Sequence, residues 1–187
     1  MKSSKKVLGI VASPHNSGNT ATLVNEVLKG AEERGYEPDL KCLGDLEIYP
    51  LITDASDKPY GVEGPRDDMT SIYSSLEKMD ALVLGTPIYY DHVSARAKIF
   101  IDRLIYYNKE STKNRFPKNV PAIIVIAYEW NKPDAYGSVV EWIKHTLEAY
   151  FKMKVVASLH AENTVKNPVA NREDLLKKAR EIGRNLS

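Results

Sequence analysis

Cysteine is almost missing from this chain: Cys42 is the single one in 187 residues. One thiol cannot close an internal disulfide, and no CxxC pair is present to hold zinc or run thiol exchange. A surplus of either charge is lacking too, with 26 Lys+Arg against 25 Asp+Glu and a formal net charge of +1. That balance removes the broad electrostatic case for a nucleic-acid or membrane-surface partner. No apolar run approaches the roughly 20 residues of a membrane span. The opening MKSSKK is basic, but the VLGIVASP that follows is too short and strand-like for a secretory leader. Repeats and low-complexity tracts are missing as well. What remains is ordinary for a soluble globular domain, 43% apolar and 27% charged. The length predicts one domain over 1–187, able to remove about 70% of its unfolded surface from water. The expectation is a neutral, cytoplasmic, single-domain protein, and composition alone assigns it no function.

Continuous apolar runs mark the strands. KVLGIVA (6–12), ALVLGT (81–86) and PAIIVIA (121–127) read as fully buried strands, the first ending at Ser13-Pro14 and the second at Pro87. A weaker strand is expected around Asp39–Leu43, and KVVASLH (154–160) as the last. Helices show as apolar stripes. Leu23, Val24, Val27, Leu28 and Ala31 form one face of a helix from Thr20 to near Gly35. Met69, Ile72, Tyr73, Leu76 and Met79 do the same behind an Asp67 N-cap. Ser94–Tyr107 reads as a helix apolar around most of its circumference, and 137–151 as a fourth. A final amphipathic helix follows an Asn171 cap, with acids in its first turn. Five strands alternating with five helices, the strands without in/out alternation, predict an α/β fold with a parallel sheet covered on both faces. In such sheets ligands sit beyond the carboxyl ends of the strands, where the winding reverses. The loops after Ala12, Thr86, Ala127 and His160 are therefore the places to search.

Ser13-Pro14-His15-Asn16-Ser17-Gly18-Asn19-Thr20 follows the first strand and runs into a helix. Small and hydroxyl residues leave backbone N–H groups free beside the positive end of the helix dipole, a setting suited to phosphate. Ser13, Ser17 and Thr20 each bring a hydroxyl donor, and Asn19 an amide. With no Lys after Gly18 the loop is not GxxxxGK[ST], and without GxGxxG it offers a dinucleotide pyrophosphate no close backbone approach. One terminal phosphate held by neutral donors fits what is left. The same residues also serve simply to turn the chain and cap the helix. On the adjacent crevice edge, Gly85–Ser94 carries Pro87, Ile88 and the paired Tyr89 and Tyr90. Aromatic groups there suit a flat ring, or close the end of the sheet over apolar neighbours. Taken together, the two loops suit a ligand with a phosphate at one end and a planar ring at the other, the shape of flavin mononucleotide (FMN).

ASPHNSGNTATLV (12–24) and GTPIYYDHVSARAKIFIDRL (85–104) resemble the signature stretches of flavodoxin-fold NAD(P)H-dependent FMN reductases, and among them the iron–sulfur flavoprotein branch. Ser13, Pro14, Gly18, Asn19 and Thr20 match the approximate pattern G-S-P-R-x-x-G-N-T. Gly85, Thr86, Pro87, Tyr89, Ser94, Ala95, Lys98, Phe100, Asp102 and Arg103 match G-S/T-P-x-Y-x-x-x-x-S-A-x-x-K-x-F-x-D-R, and Asp67-Asp68-Met69 also fits the branch. The resemblance implies a flavodoxin-like three-layer sandwich whose five-stranded parallel sheet runs 2-1-3-4-5. It implies FMN phosphate on Ser13, His15, Ser17, Gly18, Asn19, Thr20 and Ala21. The isoalloxazine would lie against Pro87, Ile88, Tyr89, Tyr90, Asp91 and His92. Loop 128–136 would close the far side, with Tyr128 in contact and Trp130 stacking, gating, or partly buried under its own loop.

Two departures stand out. His15 occupies the place where the family usually has Arg, so a charged phosphate partner is absent or pH-dependent. The segment 46–66, where the branch carries its cluster cysteines, has none, and Cys42 alone cannot supply the roughly four thiolates of a cubane. No iron–sulfur cluster is expected, and whether 46–66 forms a lid or a subunit contact is left open. His15, His92, His145 and His160 show no H-E-x-x-H spacing, so no metal is expected. His92 and Arg96 would favour an anionic reduced flavin and Asp91 oppose it; Arg96 and Lys98 equally fit solvated residues or partners of a neighbouring subunit's acids.

Hydride transfer from a nicotinamide to a flavin needs distance and orientation rather than a protein acid or base, so no catalytic residue is nominated. The implied activity is an FMN-dependent NAD(P)H oxidoreductase passing electrons to a small acceptor such as a flavin or quinone, in a homodimer or homotetramer. Two other classes stay open. One is an electron carrier serving protein partners without pyridine nucleotides, against which the +1 charge argues because such carriers are strongly acidic. The other is a binding module that has lost its flavin.

Overall fold

The computed structural model of the protein describes residues 4–51, 67–108 and 112–186. Its strands are β1 (Lys5–Val11), β2 (Tyr36–Cys42), β3 (Ala81–Tyr89), β4 (His92–Val93), β5 (Pro121–Ala127) and β6 (Lys154–Ala161). Its helices are α1 (Asn19–Glu32), α2 (Met69–Leu76), α3 (Ala95–Arg103), α4 (Gly137–His145) and α5 (Glu173–Arg184). Five strands pair in parallel in the order β2-β1-β3-β5-β6, the winding that the family resemblance implies. The sixth strand, β4, is an addition: two residues antiparallel to the end of β3. No helix among the described residues is long and apolar enough to cross a membrane.

The apolar runs have a direct cause. Successive side chains of a strand point to opposite faces, and both faces here are covered. Val7, Val11, Val83, Ile123 and Val125 enter a core with α1 and α5. Leu8, Ile10, Leu82, Leu84, Ile124 and Ile126 enter a second core with α2, α3 and α4. Fully burying a side chain of this size contributes about 1.5–3 kcal/mol, so alternation would discard half the stabilisation. The outer strands differ: β2 and β6 are only partly buried, which is why β2 reads weakly in the sequence.

Two close approaches set the spacing of the layers. Where α1 crosses α5, a Cβ added at Gly30 would stand 2.0 Å from the Arg180 carbonyl oxygen, and one at Gly183 would stand 2.0 Å from that of Val27. The two backbones touch there. Between α1 and the sheet, a Cβ at Gly85 would meet Val24 Cγ2 at 2.4 Å and Thr20 Cγ2 at 3.0 Å. Only glycine lets the start of α1 settle onto β3.

Several boundaries depart from expectation. β3 does not stop at Pro87 but runs to Tyr89. Pro87 faces Ala127 at the last rung of the ladder with β5, where a missing N–H costs little. The helix expected over 94–107 is α-helical only to Arg103 and tightens into a 3₁₀ turn over Leu104–Asn108. That over 137–151 widens into a π turn at Thr146–Tyr150. Asn171 closes a 3₁₀ turn rather than capping α5; the boundary falls on Arg172, with no side-chain cap, and Glu173 and Asp174 hold the first turn as expected. Of segment 46–66, residues 52–66 lie outside the described residues.

Candidate functional site

β1 and β3 are neighbours in register, Val11 opposite Gly85, so the loops leaving their ends lie side by side. A buried set of hydroxyl bonds joins them. Ser94 Oγ donates to the Ala12 carbonyl (2.6 Å) and accepts from the Ala97 N–H (3.1 Å), which makes it the N-cap of α3. Thr86 Oγ1 accepts from the Ser94 N–H (3.1 Å), and both side chains are buried. The Gly85-Thr86 and Ser94-Ala95 pairs of the sequence motif thus fix the relative position of the two loops.

The loop after β1 folds back on itself and leaves the start of α1 without a side-chain cap. Ser13 Oγ accepts from the His15 N–H (3.1 Å), folding the chain back on itself. Gly18 sits at the N-cap of α1 and brings no side chain to the N–H groups of the first turn, and that turn contains no acid. Those N–H groups and the helix dipole are left facing a prospective anion. Thr20 and Ala21 are buried in the same turn, while His15 and Ser17 stay exposed. The turn after β2 backs the loop: a Cβ at Gly44 would lie 3.0 Å from the carbonyl oxygens of Ser13 and Pro14, and Asn16 donates to Asp45. Asn19 is already engaged. Its amide donates to the Thr164 carbonyl (3.4 Å) and its Oδ1 accepts from the Val169 N–H (2.8 Å), so it ties α1 to the loop after β6.

Beyond Pro87 the chain forms a two-residue hairpin, Tyr89 paired with His92. Tyr90 and Asp91 occupy its tip at φ 48° and 61°. Such turns favour Asn-Gly because both central residues need positive φ, and a side chain there costs of order 1–3 kcal/mol unless neighbours hold it. Asp91 is held: Tyr136 donates its hydroxyl to the Asp91 carboxylate at 2.9 Å, reaching over from the loop after β5. That bond, with a lesser effect of burial, raises the Tyr136 phenol above its ordinary range. Tyr90 has no such support and is fully exposed.

Between the hairpin and the loop after β5 lies an open cleft of about 720 Å³. Ile88, Tyr89, Tyr90, Asp91, Val93 and Ala95 form one wall; Tyr128, Glu129, Trp130 and Tyr136 form the other. Tyr128 is buried, its ring edge-on to Tyr136 at 4.9 Å, with its hydroxyl donating to the Lys132 carbonyl (3.2 Å). Trp130 is 54% exposed and stands edge-on to Tyr136 at 6.2 Å. His92 turns away from the cleft to contact Trp142 edge-on at 4.8 Å.

The remaining motif residues hold the frame. Arg103 and Asp67, both buried, form an ion pair in which Arg103 Nη2 donates to Asp67 Oδ1 (3.1 Å) and Nη1 to the Tyr49 carbonyl (2.8 Å). Burial pushes the Asp67 carboxyl up, but Arg103 and the backbone N–H groups of Tyr49 and Met69 outweigh it and hold the group below the usual range. Lys98 pairs with Asp102 of its own helix (2.7 Å), and Arg96 donates to the Leu43 carbonyl (3.0 Å). No cluster of three or more His, Cys, Asp or Glu among the described residues suits a metal ion.

The structure therefore gathers Ile88, Tyr89, Tyr90, Asp91, Tyr128 and Trp130 around one cleft and places Ser13–Ala21 on the neighbouring strand tip. Pro87 and His92 lie at the base of the hairpin, outside the lining. Among the lining residues, Ala95 enters the sequence reading only as a motif match, and Val93, Glu129 and Tyr136 are not nominated individually. Glu129 and Tyr136 lie within the loop it nominated, but nothing in their spacing distinguishes them from Asn131 or Lys132.

Comparison with known proteins places the chain in a family. Residues 5–173 match the NADPH-dependent FMN reductase family. An iron–sulfur flavoprotein of Methanocaldococcus jannaschii is 38% identical over 98 residues, 52% of this chain and 51% of that protein. One of Archaeoglobus fulgidus is 32% identical over 107 residues, 57% of this chain and 49% of that protein. The chain spans about half the length of these curated relatives. Among solved structures, an NAD(P)H:quinone oxidoreductase of Methanothermobacter marburgensis superimposes with a TM-score of 0.72 at 17% identity, over 99% of this chain and 97% of that one. At that identity the likeness is one of fold. The single cysteine separates this chain from the cluster-bearing flavoproteins, since 187 residues contain one thiol where a cubane needs about four.

Proposed function

The chain belongs to the NADPH-dependent FMN reductase family, and from that premise we propose that it is an FMN-dependent NAD(P)H oxidoreductase delivering electrons to a small acceptor such as a flavin or quinone. The observation that carries this reading is the juxtaposition of an acid-free, uncapped helix N-terminus with an aromatic cleft on the next strand tip, the two joined through Ser94 and Ala12. The loop Ser13–Ala21 would take the FMN phosphate, with Ser13, Ser17 and Thr20 as hydroxyl donors. The hairpin Pro87–His92 and the wall Tyr128–Tyr136 would take the isoalloxazine ring. Bound there, FMN supplies the hydride-accepting ring. The protein's part would be to orient that ring and to leave one face open, and Trp130, exposed on the cleft wall, would flank a second flat ligand.

Anaerobic mixing of the FMN-loaded protein with NADPH or NADH tests the activity: the flavin absorbance band should bleach within minutes. Persistence of the band with both nucleotides, with reduction only by a protein donor, would replace this reading with that of a carrier. Ser13→Ala combined with Thr20→Ala tests the placement of the phosphate. Loss of two hydroxyl donors should weaken FMN binding by about 1–3 kcal/mol, five- to 150-fold. Unchanged affinity in a fluorescence titration would mean that the phosphate lies elsewhere. We further propose a homodimer or homotetramer, to be read from light scattering during gel filtration.

A further inference from the structure

The cleft has an uneven charge. Its two walls each present one carboxylate, Asp91 from the hairpin and Glu129 from the loop after β5, and its lining includes no Lys, Arg or His. Neither carboxylate has a basic partner among the described residues. Asp91 cannot swing aside freely, because its turn is held and its carboxylate accepts the Tyr136 hydroxyl at 2.9 Å. Around these charges stand the rings of Tyr89, Tyr90, Tyr128, Trp130 and Tyr136. Their faces are electron-rich, and such rings attract cations over neutral or anionic groups. One such cation is already in place: Lys132 holds its ammonium 5.3 Å from the centre of the Trp130 ring, and this charge offsets part of that of the two carboxylates.

Resting on the reading that this cleft is the oxidoreductase site, we propose that it selects its flat second substrate by charge, admitting neutral and cationic aromatic rings and discriminating against rings that carry a carboxylate or sulfonate. The physical size of the effect follows from Coulomb's law. A unit charge about 6 Å from one carboxylate at water-like dielectric interacts by a few-fold in affinity, so reversing its sign changes affinity about tenfold per carboxylate. Because both groups are exposed, the effect is screened by salt. FMN phosphate and the phosphates of a nicotinamide nucleotide are not subject to this rule when they lie outside the cleft lining, as the loop Ser13–Ala21 does.

Three probes of one ring size separate the possibilities: 1-methylnicotinamide (a cation), nicotinamide (neutral) and nicotinate (an anion). Each is titrated by ligand-observed NMR against the protein as purified and against the FMN-saturated protein, at about 10 mM salt and again at about 300 mM. The expected result is cation binding at least tenfold tighter than anion binding at low salt, neutral ring between, and a difference cut to threefold or less at high salt. Asp91→Asn with Glu129→Gln should abolish the preference while all three probes still bind. Asn tolerates the left-handed turn and still accepts from Tyr136, so this variant removes charge without removing the latch. Equal binding of cation and anion by the parent protein, a preference that survives the double variant, or failure of every probe to bind overturns the proposal. These readouts need no electron transfer. A protein that discriminates the probes but is not reduced by NADPH or NADH would sink the proposed activity and leave the charge selection standing. One that is reduced yet binds all probes alike would do the reverse.

Discussion

Gly183→Ala is the sharpest test of how the layers are assembled. In an isolated helix this change should stabilise, because glycine costs about 1 kcal/mol relative to alanine. The structure predicts the opposite sign. The new Cβ would lie 2.0 Å from the Val27 carbonyl oxygen and 2.9 Å from the Ala31 nitrogen, where ordinary contact begins near 3.4 Å. The obstacle is backbone on both sides, so no side chain can rotate out of the way, and α5 must move off α1 by about 1.4 Å. A gap of 0.5–1 Å already forfeits a quarter to a half of each dispersion contact along the crossing. Overpacking of this kind costs about 1–3 kcal/mol and occasionally more. With the gain in helix propensity of about 1 kcal/mol set against the upper end of that range, the net loss comes to about 2 kcal/mol. At a urea dependence of about 2 kcal/mol/M, the unfolding midpoint should fall by about 1 M. Gly137→Ala, at a helical glycine with nothing within 4 Å of the added methyl, is the control and should leave the midpoint unmoved or raised. Gly30→Ala should resemble Gly183→Ala, and the double variant should cost less than the sum, since the helices have already parted. A midpoint for Gly183→Ala equal to or above that of the parent would refute the reasoning.

Asp67→Asn should destabilise by about 3–5 kcal/mol by leaving Arg103 buried without its carboxylate. Because folding lowers the Asp67 pKa, its contribution is present above the ordinary carboxylate range and is lost as pH falls through the folded value; the gap in urea midpoint between parent and variant should be full at pH 7 and should narrow as pH drops below the ordinary carboxylate range. Ser94→Ala removes both the cap of α3 and the bond to Ala12, and should cost about 1–2 kcal/mol in thermal unfolding while also weakening FMN binding. Tyr73, raised to about 12 chiefly by burial, should be missing from the tyrosinates that form near pH 10 in an absorbance titration. The stability it confers is complete below pH 10 and is lost as pH rises towards 12. Tyr73→Phe should delete one late-titrating phenol and leave the earlier part of the curve unchanged.

Much of the fold could be read because its signals are local. The runs at 6–12, 81–86 and 121–127 are apolar without a break because each strand faces two cores, and the one-sided stripes of α1, α2 and α5 follow from facing only one. Boundaries were harder where a residue's usual meaning depends on its neighbours. Pro87 ends most strands, yet here it occupies a rung with little to lose. Tyr90-Asp91 does not look like a hairpin turn, and it persists because Tyr136 reaches Asp91 from 45 residues away in the chain. The same limit applies to the site. The two loops of the candidate site stand out in the sequence by small hydroxyl residues after one strand and paired tyrosines after another. The dual engagement of Asn19 with Thr164 and Val169, and the place of Glu129 and Tyr136 in the cleft, arise only from tertiary contact.

The bond from Ser94 to Ala12 spans 82 positions of the chain, which gives the site a history as well as a shape. During synthesis the loop 13–20 emerges early and first meets the turn after β2, but its place beside the hairpin is fixed only when β3 and the start of α3 have followed and docked. Closing so long a loop carries an entropic cost that local turns do not. The Asn19 tether is later still, since Thr164 and Val169 follow by about another 70 residues. A nascent chain released before Thr164 and Val169 would therefore hold residues 13–20 without the contacts that order them, so any capacity of that loop to retain a ligand should arise late in folding.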